Sequence, residues 1–324
     1  MDRDVGVVVL RLGELAHPVD EGERGDEGVE RERALEGVAD LCPAFGGHGG
    51  SIYHRFVITG SSERDAVPAA GRRAGRELLL EVAFRPLSSP FVPLLARLNV
   101  PPPAVVVANA MVGLTAAVGL ARGDLVAAAV LLQLKTLLDN MDGQLARATG
   151  QVTLLGRYLD TLADLVVNAA LFAALGYVTR QPLLAVAGFV ALTVVLAVDY
   201  NATELYRGAH GRLLQQPRRT GGRAESALGR AYDALLGPLD RAVRAFAARR
   251  FGGRASYDRL TVTILANLGL TSQLAVLGVC LALGAPEAYL WFVVACLLAL
   301  FPLQLHAERR ARAAIVSRVA RGRR

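Results

Sequence analysis

Residues 131–164 read LLQLKTLLDNMDGQLARATGQVTLLGRYLDTLAD, two apolar runs in which four aspartates are embedded. Asp139 and Asp142 stand three residues apart, and Asp160 and Asp164 stand four apart, so each pair would project from one face of a helix. A carboxylate in hydrocarbon is expensive unless it is paired or binds a cation. Two consecutive antiparallel helices can bring both pairs together. The stretch therefore predicts a cage of oxygen ligands inside a helical bundle.

The rest of the chain supports an integral membrane protein. Of its 324 residues, 53% are hydrophobic and 20% are charged, a balance that disfavours a single soluble domain. From about residue 100 onward, apolar stretches approach the roughly 20 residues that a bilayer-spanning helix needs. We predict an all-α, six-transmembrane-helix bundle with spans at about 101–120, 124–141, 153–178, 182–203, 258–283 and 287–306.

Charge placement predicts the orientation of this bundle. The formal net charge is +7, and Lys135 is the single lysine, so nearly all basic residues are arginines. The arginines cluster in the long connection 206–257 and in the C-terminal tail 308–324, which predicts that both termini and this connection lie in the cytoplasm. The sequence has no basic stretch interleaved with aromatic residues, so we expect no nucleic-acid partner. The arginine- and alanine-rich usage favours a bacterial plasma membrane.

Three segments flank or interrupt the predicted bundle domain, residues 101–307. Residues 1–83 are polar and Gly-rich and predict a cytoplasmic extension of unknown role, either a small α/β appendage or a partly disordered segment. Residues 84–100 combine prolines, arginines and apolar residues, which favours an interfacial helix before the first span, with a plain linker as the alternative. Within 206–257 the helical spacing allows an amphipathic surface helix or a helical pair packed on the bundle.

The four carboxylates favour a hard metal ion. Without His or Cys they select Mg²⁺, Mn²⁺ or Ca²⁺ over zinc, and their charge suffices for two ions, of which Mg²⁺ or Mn²⁺ is the expected cofactor. Two metals bridging a pyrophosphate would neutralise its charge and stabilise the departing phosphate oxygen. Gly143, Ala146 and Gly156 are small enough to admit a ligand close to the backbone, and Arg147 offers a guanidinium fork for phosphate.

Taken together these residues resemble a known signature. The pattern Asp139-x2-Asp142-Gly143-x2-Ala146-Arg147-x8-Gly156-x3-Asp160-x3-Asp164 is similar, at every fixed position, to that of the CDP-alcohol phosphotransferase (CDP-alcohol phosphatidyltransferase) family. The resemblance covers about residues 85–307. It implies that CMP is displaced from a CDP-linked donor by an acceptor hydroxyl, in a six-helix fold that is usually a homodimer with a cytoplasmic active-site cavity.

The resemblance also implies roles for individual residues. The four aspartates would bind metal, and Asp164 would in addition act as general base on the acceptor hydroxyl. The CDP moiety would be lined by Gly143, Ala146, Arg147 and Gly156. This chain departs from many relatives at Val100–Ala104, where it has three prolines instead of a Pro-Asn pair, and this leaves the acceptor alcohol open.

Two residues outside the signature are candidates for the acceptor site. Lys135 lies one turn before Asp139 and would pair with that carboxylate or point at a substrate phosphate; a snorkelling lysine is the alternative. Arg207, near the end of the fourth span, suits a phosphorylated polyol, and an ordinary helix-end charge is the alternative.

Three functions fit the sequence. The leading one is phosphatidyl transfer from CDP-diacylglycerol to a small polar alcohol of the glycerol phosphate or inositol phosphate type, in phospholipid biosynthesis. The second keeps the chemistry but uses a soluble donor such as CDP-inositol, CDP-ethanolamine or CDP-choline. The third is a cation-binding transporter or scaffold, which accounts for the intramembrane acids but not for the glycines, alanine and arginine between them.

Overall fold

The computed structural model describes Gly75 and residues 77–209, 217–251 and 257–321. The extension predicted over residues 1–83 therefore falls almost entirely outside the described residues. Within the described ranges the regular structure is helical, without a strand; one isolated parallel bridge joins Thr153 and Arg218. The all-α prediction is confirmed for this part of the chain.

The segment before the first long helix packs on the bundle through one face. After a π-helical turn at Leu80–Phe84 come two short helices, α1 (Arg85–Ser88) and α2 (Phe91–Arg97). Val92 is buried in a small apolar cluster with Met141 and Leu145. The other face exposes apolar side chains at helical spacing, namely Leu87, Phe91, Leu94 and Leu98. An apolar outer face fits the predicted interfacial helix, which stays a prediction.

Four long helices follow in sequence: α3 (Pro102–Arg122), α4 (Leu125–Ala148), α5 (Leu154–Val178) and α6 (Pro182–Ala209). Proline begins α3 and α6, where its missing N–H costs no helical hydrogen bond. Gly123 ends α3 with a φ of 85°, a left-handed conformation that glycine adopts without strain. These short turns make consecutive helices antiparallel neighbours.

A pair of helices lies in the long connection after α6, namely α7 (Arg223–Leu235) and α8 (Gly237–Phe251). α7 packs on α5, and α8 packs on α6. Arg250 on α8 also donates a hydrogen bond of 3.0 Å to the Glu308 carboxylate near the end of the bundle. Of the two alternatives for this connection, the structure has the helical pair packed on the bundle.

The fifth predicted span is broken in the middle. It consists of α9 (Arg259–Asn267) and α10 (Leu270–Ala282), separated at Leu268 and Gly269. A Cβ at Gly269 would lie 2.8 Å from the Ala266 carbonyl oxygen, so only glycine fits the break as built. The last helix, α11 (Pro286–Arg321), has 36 residues with Pro302 inside it and runs through most of the predicted basic tail.

Among the residues that the structure describes, five helical stretches are long and apolar enough to cross a membrane, which fits a multi-pass membrane protein. They are Pro102–Arg122, Leu154–Val178, Pro182–Ala209, Arg259–Ala282 and Pro286–Arg310. The remaining predicted span coincides with α4, whose 24 residues rise about 36 Å, enough for a bilayer. Its charged residues lower its hydropathy. The count of six spans therefore stays a prediction that depends on α4.

Small residues let the long helices approach one another closely, as in other membrane bundles. A Cβ at Gly113 of α3 would lie 2.5 Å from the Val167 Cγ1 atom of α5. A Cβ at Gly188 of α6 would lie 2.7 Å from the Phe172 Cε1 atom of α5. The apolar core between these helices is built from buried leucines, among them Leu120, Leu132, Leu171, Leu192 and Leu277.

Candidate metal and active site

Three of the four signature aspartates come together where α4 meets α5. Asp139 and Asp142 from α4 and Asp160 from α5 each offer one carboxylate oxygen, and these three atoms lie within 4.8 Å of one another. The spacing of three residues places the first pair on one face of α4, and the short connection to α5 makes the helices antiparallel. The structure thus gathers three acids into one cluster at the contact of two helices.

This cluster fits a hard divalent cation. The Asp142 Oδ2 and Asp160 Oδ1 atoms are buried and, within the described part of the chain, have no hydrogen-bond partner. Buried carboxylate oxygens are costly unless a donor or a cation satisfies them. Carboxylate oxygens alone, without imidazole or thiolate, are the ligands that Mg²⁺ and Mn²⁺ prefer. Asp139, Asp142 and Asp160 could therefore hold one such ion.

Asn109 of α3 orients the first of these acids. Its side chain is 2% exposed, and its Nδ2 atom donates a hydrogen bond of 3.2 Å to the Asp139 Oδ1 atom. The sequence analysis missed this residue. The signal available in the sequence was an amide in an otherwise apolar span, which on its own is as typical of a helix-packing contact as of a site.

The fourth signature aspartate, Asp164, is not one of the three acids of this cluster. The Lys135 Nζ atom lies 2.7 Å from the Asp164 Oδ1 atom, with the lysine side chain wholly buried and the aspartate side chain 19% exposed. The sequence analysis offered Asp139 or a substrate phosphate as the partner of Lys135. The ion pair with Asp164 instead crosses from α4 to α5, because Lys135 faces the neighbouring helix one turn beyond the cluster.

The residues predicted to line the CDP moiety lie around the α4–α5 turn. A Cβ at Gly143 would lie 3.2 Å from the Arg147 Nη1 atom, so the exposed Arg147 side chain folds back beside Gly143. Ala146, in the same last turn of α4, is half-buried. Gly156 is in the first turn of α5, where its N–H donates a hydrogen bond of 3.1 Å to the Thr153 hydroxyl. A helix N-terminus favours anions, which suits a pyrophosphate at this end.

The segment before α7 and α7 itself are attached to the start of α5. The Arg218 N–H donates to the Val152 carbonyl at 2.9 Å, and the Leu154 N–H donates to the Arg218 carbonyl at 3.0 Å. One helical turn further, the rings of Tyr158 and Tyr232 pack with centroids 5.4 Å apart. α7 therefore packs beside the first turns of α5, a position that the sequence analysis did not specify.

A network of polar side chains joins α7 and α8 to α6. The buried Asn201 side chain donates a 2.9 Å hydrogen bond to the Asp240 carboxylate and accepts one of 2.7 Å from the Arg244 Nε atom. The Tyr232 hydroxyl donates to the same carboxylate at 2.7 Å, and burial together with this acceptor raises the pKa of the tyrosine. The network fixes α7 and α8 over the site end of the bundle.

Arg207, the second candidate for the acceptor site, pairs with a neighbour on its own helix. Its Nη1 atom lies 3.2 Å from the Glu204 Oε1 atom, and its side chain is 18% exposed. This pairing fits the ordinary helix-end charge that the sequence analysis gave as the alternative. The structure does not bring Arg207 into the carboxylate cluster.

An apolar cavity of about 670 Å³ lies between α5 and α6, but it is not at the acids. Its lining includes Phe172, Gly176, Tyr177 and Arg180. These residues are 12 to 20 positions after Asp160 on or just beyond the same helix, about 18 to 30 Å along its axis. The cavity therefore belongs to the opposite end of the bundle.

Comparison with known families bears on the whole signature region. Residues 98–222 match the family model described as CDP-alcohol phosphatidyltransferase. This segment, less than half of the chain, is similar to that family. The matched domain takes in α3, α4, α5 and α6, with all four signature aspartates, and ends just before α7.

One curated relative is similar to a part of this domain. It is the bifunctional IPC transferase and DIPP synthase of Thermococcus kodakarensis, 38% identical over 86 residues. The aligned stretch covers 26% of this chain and 20% of the length of that relative. No solved structure matches the chain.

Proposed function

We propose that this protein transfers a substituted phosphate group from a CDP-linked donor to the hydroxyl of an acceptor alcohol and releases CMP. The observation that carries the proposal is the cluster of Asp139, Asp142 and Asp160, with two buried carboxylate oxygens that lack a partner among the described residues. The cluster lies within the signature that the family model matches. A cation held there is placed beside the turn that suits a pyrophosphate.

The proposed roles divide the signature between metal and donor. Asp139, Asp142 and Asp160 hold Mg²⁺ or Mn²⁺, with Asp164 as a further ligand if a second ion binds. When bound, the metal neutralises pyrophosphate charge and stabilises the departing CMP phosphate. The donor is bound by Arg147 and by the small residues of the turn, Gly143, Ala146 and Gly156.

Asp164 is the proposed general base. It takes the proton of the acceptor hydroxyl as that oxygen forms a bond to the phosphorus distal to cytidine. The bond between this phosphorus and the oxygen of CMP breaks, and CMP leaves with the bonding electrons. The ion pair with Lys135 fixes the direction of the Asp164 carboxylate, and a positioned carboxylate is what general-base catalysis requires.

CDP-diacylglycerol is the donor class that the surroundings of the site favour, with an acceptor of the glycerol phosphate or inositol phosphate type. The exposed apolar face of Leu87, Phe91, Leu94 and Leu98 lies on helices that pack directly on α4. Such a face provides contact with lipid next to α4, which carries Asp139 and Asp142. We further propose that the protein acts as a homodimer in the bilayer with its site facing the cytoplasm.

The second candidate is a soluble CDP-alcohol donor. It is favoured by the relative from Thermococcus kodakarensis, whose name joins an IPC transferase with a DIPP synthase and does not mention a phosphatidyl group. The carboxylate cluster and the turn serve both donors equally, because both present the same CDP moiety.

The test is CMP release by purified protein in detergent with Mn²⁺ or Mg²⁺, over a grid of CDP donors and polyol or polyol phosphate acceptors. We expect CMP from CDP-diacylglycerol, and its loss in the Asp142→Asn variant. Asp124→Asn is the matched control, since Asp124 precedes α4 at the other end from the site. CMP from soluble donors alone would support the second candidate. No CMP from any donor would reject the transferase.

A further inference from the structure

We propose that the buried Lys135 ammonium takes the place of a second metal ion in the site. Because it pairs with Asp164, the protein without donor binds one divalent ion, whereas the four carboxylates alone would bind two. This inference rests on the proposed function for the identity of the site and extends it to the number of ions.

The position of Lys135 is built into three helices. Its side chain is wholly buried on α4, and its Nζ atom lies 2.7 Å from the Asp164 Oδ1 atom on α5. Its stem passes Gly113 of α3, where a Cβ would lie 3.2 Å from the Lys135 Cδ atom. The same Cβ would lie closer still to Val167 of α5, at 2.5 Å from its Cγ1 atom. Glycine therefore lets α3 pack closely against both the lysine stem and α5.

Burial keeps the ammonium at its carboxylate. A lysine near the surface of a membrane protein can extend its head group to water, but this side chain is enclosed along its whole length. A buried charge is stable only while it is paired, so the ammonium stays with an acid. Asp164 supplies that acid and is separate from the three-carboxylate cluster.

Charge balance then sets the number of ions. Four carboxylates and one ammonium give the site a net charge of −3. One divalent ion in the cluster changes this net charge to −1. A second ion beside Asp164 would give the site an excess of positive charge and would lie next to the ammonium. With a neutral residue at position 135, two divalent ions would balance the four carboxylates.

The experiment counts bound Mn²⁺ per protomer, without donor, by equilibrium dialysis and elemental analysis of detergent-purified protein. We expect one ion for the natural protein and two for Lys135→Met, a neutral chain of similar length. The double variant Lys135→Met/Asp164→Asn should return to one ion. Arg122→Met, which removes a charge at the far end of α3, should also bind one.

Two tightly bound ions in the natural protein, or a single ion in Lys135→Met, would overturn the inference. If Lys135→Met does not give a monodisperse protein, the count for the natural protein still decides between one ion and two. The count needs no CDP donor, so its result is independent of the CMP-release assay. A protein that binds one ion but releases no CMP would contradict the proposed function and leave the role of Lys135 standing.

Discussion

Replacing Asp164 by asparagine should damage the protein in two separable ways. The first is loss of the base, which should lower CMP release by roughly 10²- to 10⁴-fold, the usual contribution of general-base catalysis. The second is loss of stability, because the wholly buried Lys135 ammonium loses the carboxylate that lies 2.7 Å from it. The same substitution thus tests a catalytic role and an ion pair.

The size of the stability loss follows from the burial of the pair. Removing one partner of a buried ion pair costs about 3–5 kcal/mol, and the 19% exposure of Asp164 favours the lower end. Because about 1 kcal/mol shifts the melting temperature of a domain of this size by roughly 2–4 °C, we expect a decrease of about 6–12 °C. Lys135→Met alone should cost less, since the Asp164 carboxylate still reaches solvent.

The double variant Lys135→Met/Asp164→Asn separates the two effects. Without the ammonium there is no stranded charge, so its melting temperature in detergent should recover by several degrees relative to Asp164→Asn. CMP release should stay at the background level, since the base is still absent. If the double variant melts no higher than Asp164→Asn, the ion pair does not stabilise the bundle. If it regains CMP release, Asp164 is not the base.

Three further measurements test other parts of the structure. Gly188→Ala should lower the free energy of unfolding by about 1–3 kcal/mol, because the new Cβ would lie 2.7 Å from the Phe172 ring. Gly208→Ala, whose Cβ would meet nothing within 4 Å, should be neutral. Thermal unfolding compares the two variants, and equal melting temperatures would contradict the packing. Hydrogen bonds from Thr220 hold the pKa of Glu225 below its ordinary value of 4.5, so the stabilisation they provide is present above pH 4.5 and is lost as the pH falls below it. Below pH 4.5, the free energy of unfolding should therefore depend less on pH in Glu225→Gln than in the natural protein. An unchanged pH dependence would argue against a stabilising role of the Thr220–Glu225 hydrogen bonds. Removal of divalent metal by EDTA should abolish CMP release and lower the melting temperature, and added Mn²⁺ should restore both; activity that survives EDTA would count against a metal-dependent reaction.

The sequence was informative where function depends on spacing along one helix. Asp139 and Asp142 share a face of α4 whatever the rest of the fold does, and the next acid follows after one turn and one connection, so the meeting with Asp160 could be expected. The long apolar stretches were equally predictable, because span length is set by the thickness of the bilayer.

Contacts that depend on the rotation of one helix against another could not be read in this way. The partner of Lys135 is on α5, and its stem also passes Gly113 of a third helix, relations that no local pattern contains. The docking of α7 and α8 depends on Asn201 and Asp240, which are 39 residues apart. Before the structure was known, a packed pair and a membrane-surface helix therefore fitted the sequence equally well.

The charges of α4 bear on the biosynthesis of the protein. On scales from translocon-mediated insertion, each buried Lys or Asp near the middle of a helix costs about 2.5–3.5 kcal/mol, and α4 carries Lys135, Asp139 and Asp142. Alone in lipid, this helix would lack the Asp164 carboxylate that pairs with its ammonium in the folded protein. If α4 spans the bilayer, we expect it to stay at the translocon until the ribosome has synthesised α5, which carries Asp164. The nascent chain should therefore release the two helices into the bilayer together, as a hairpin already joined by its ion pair.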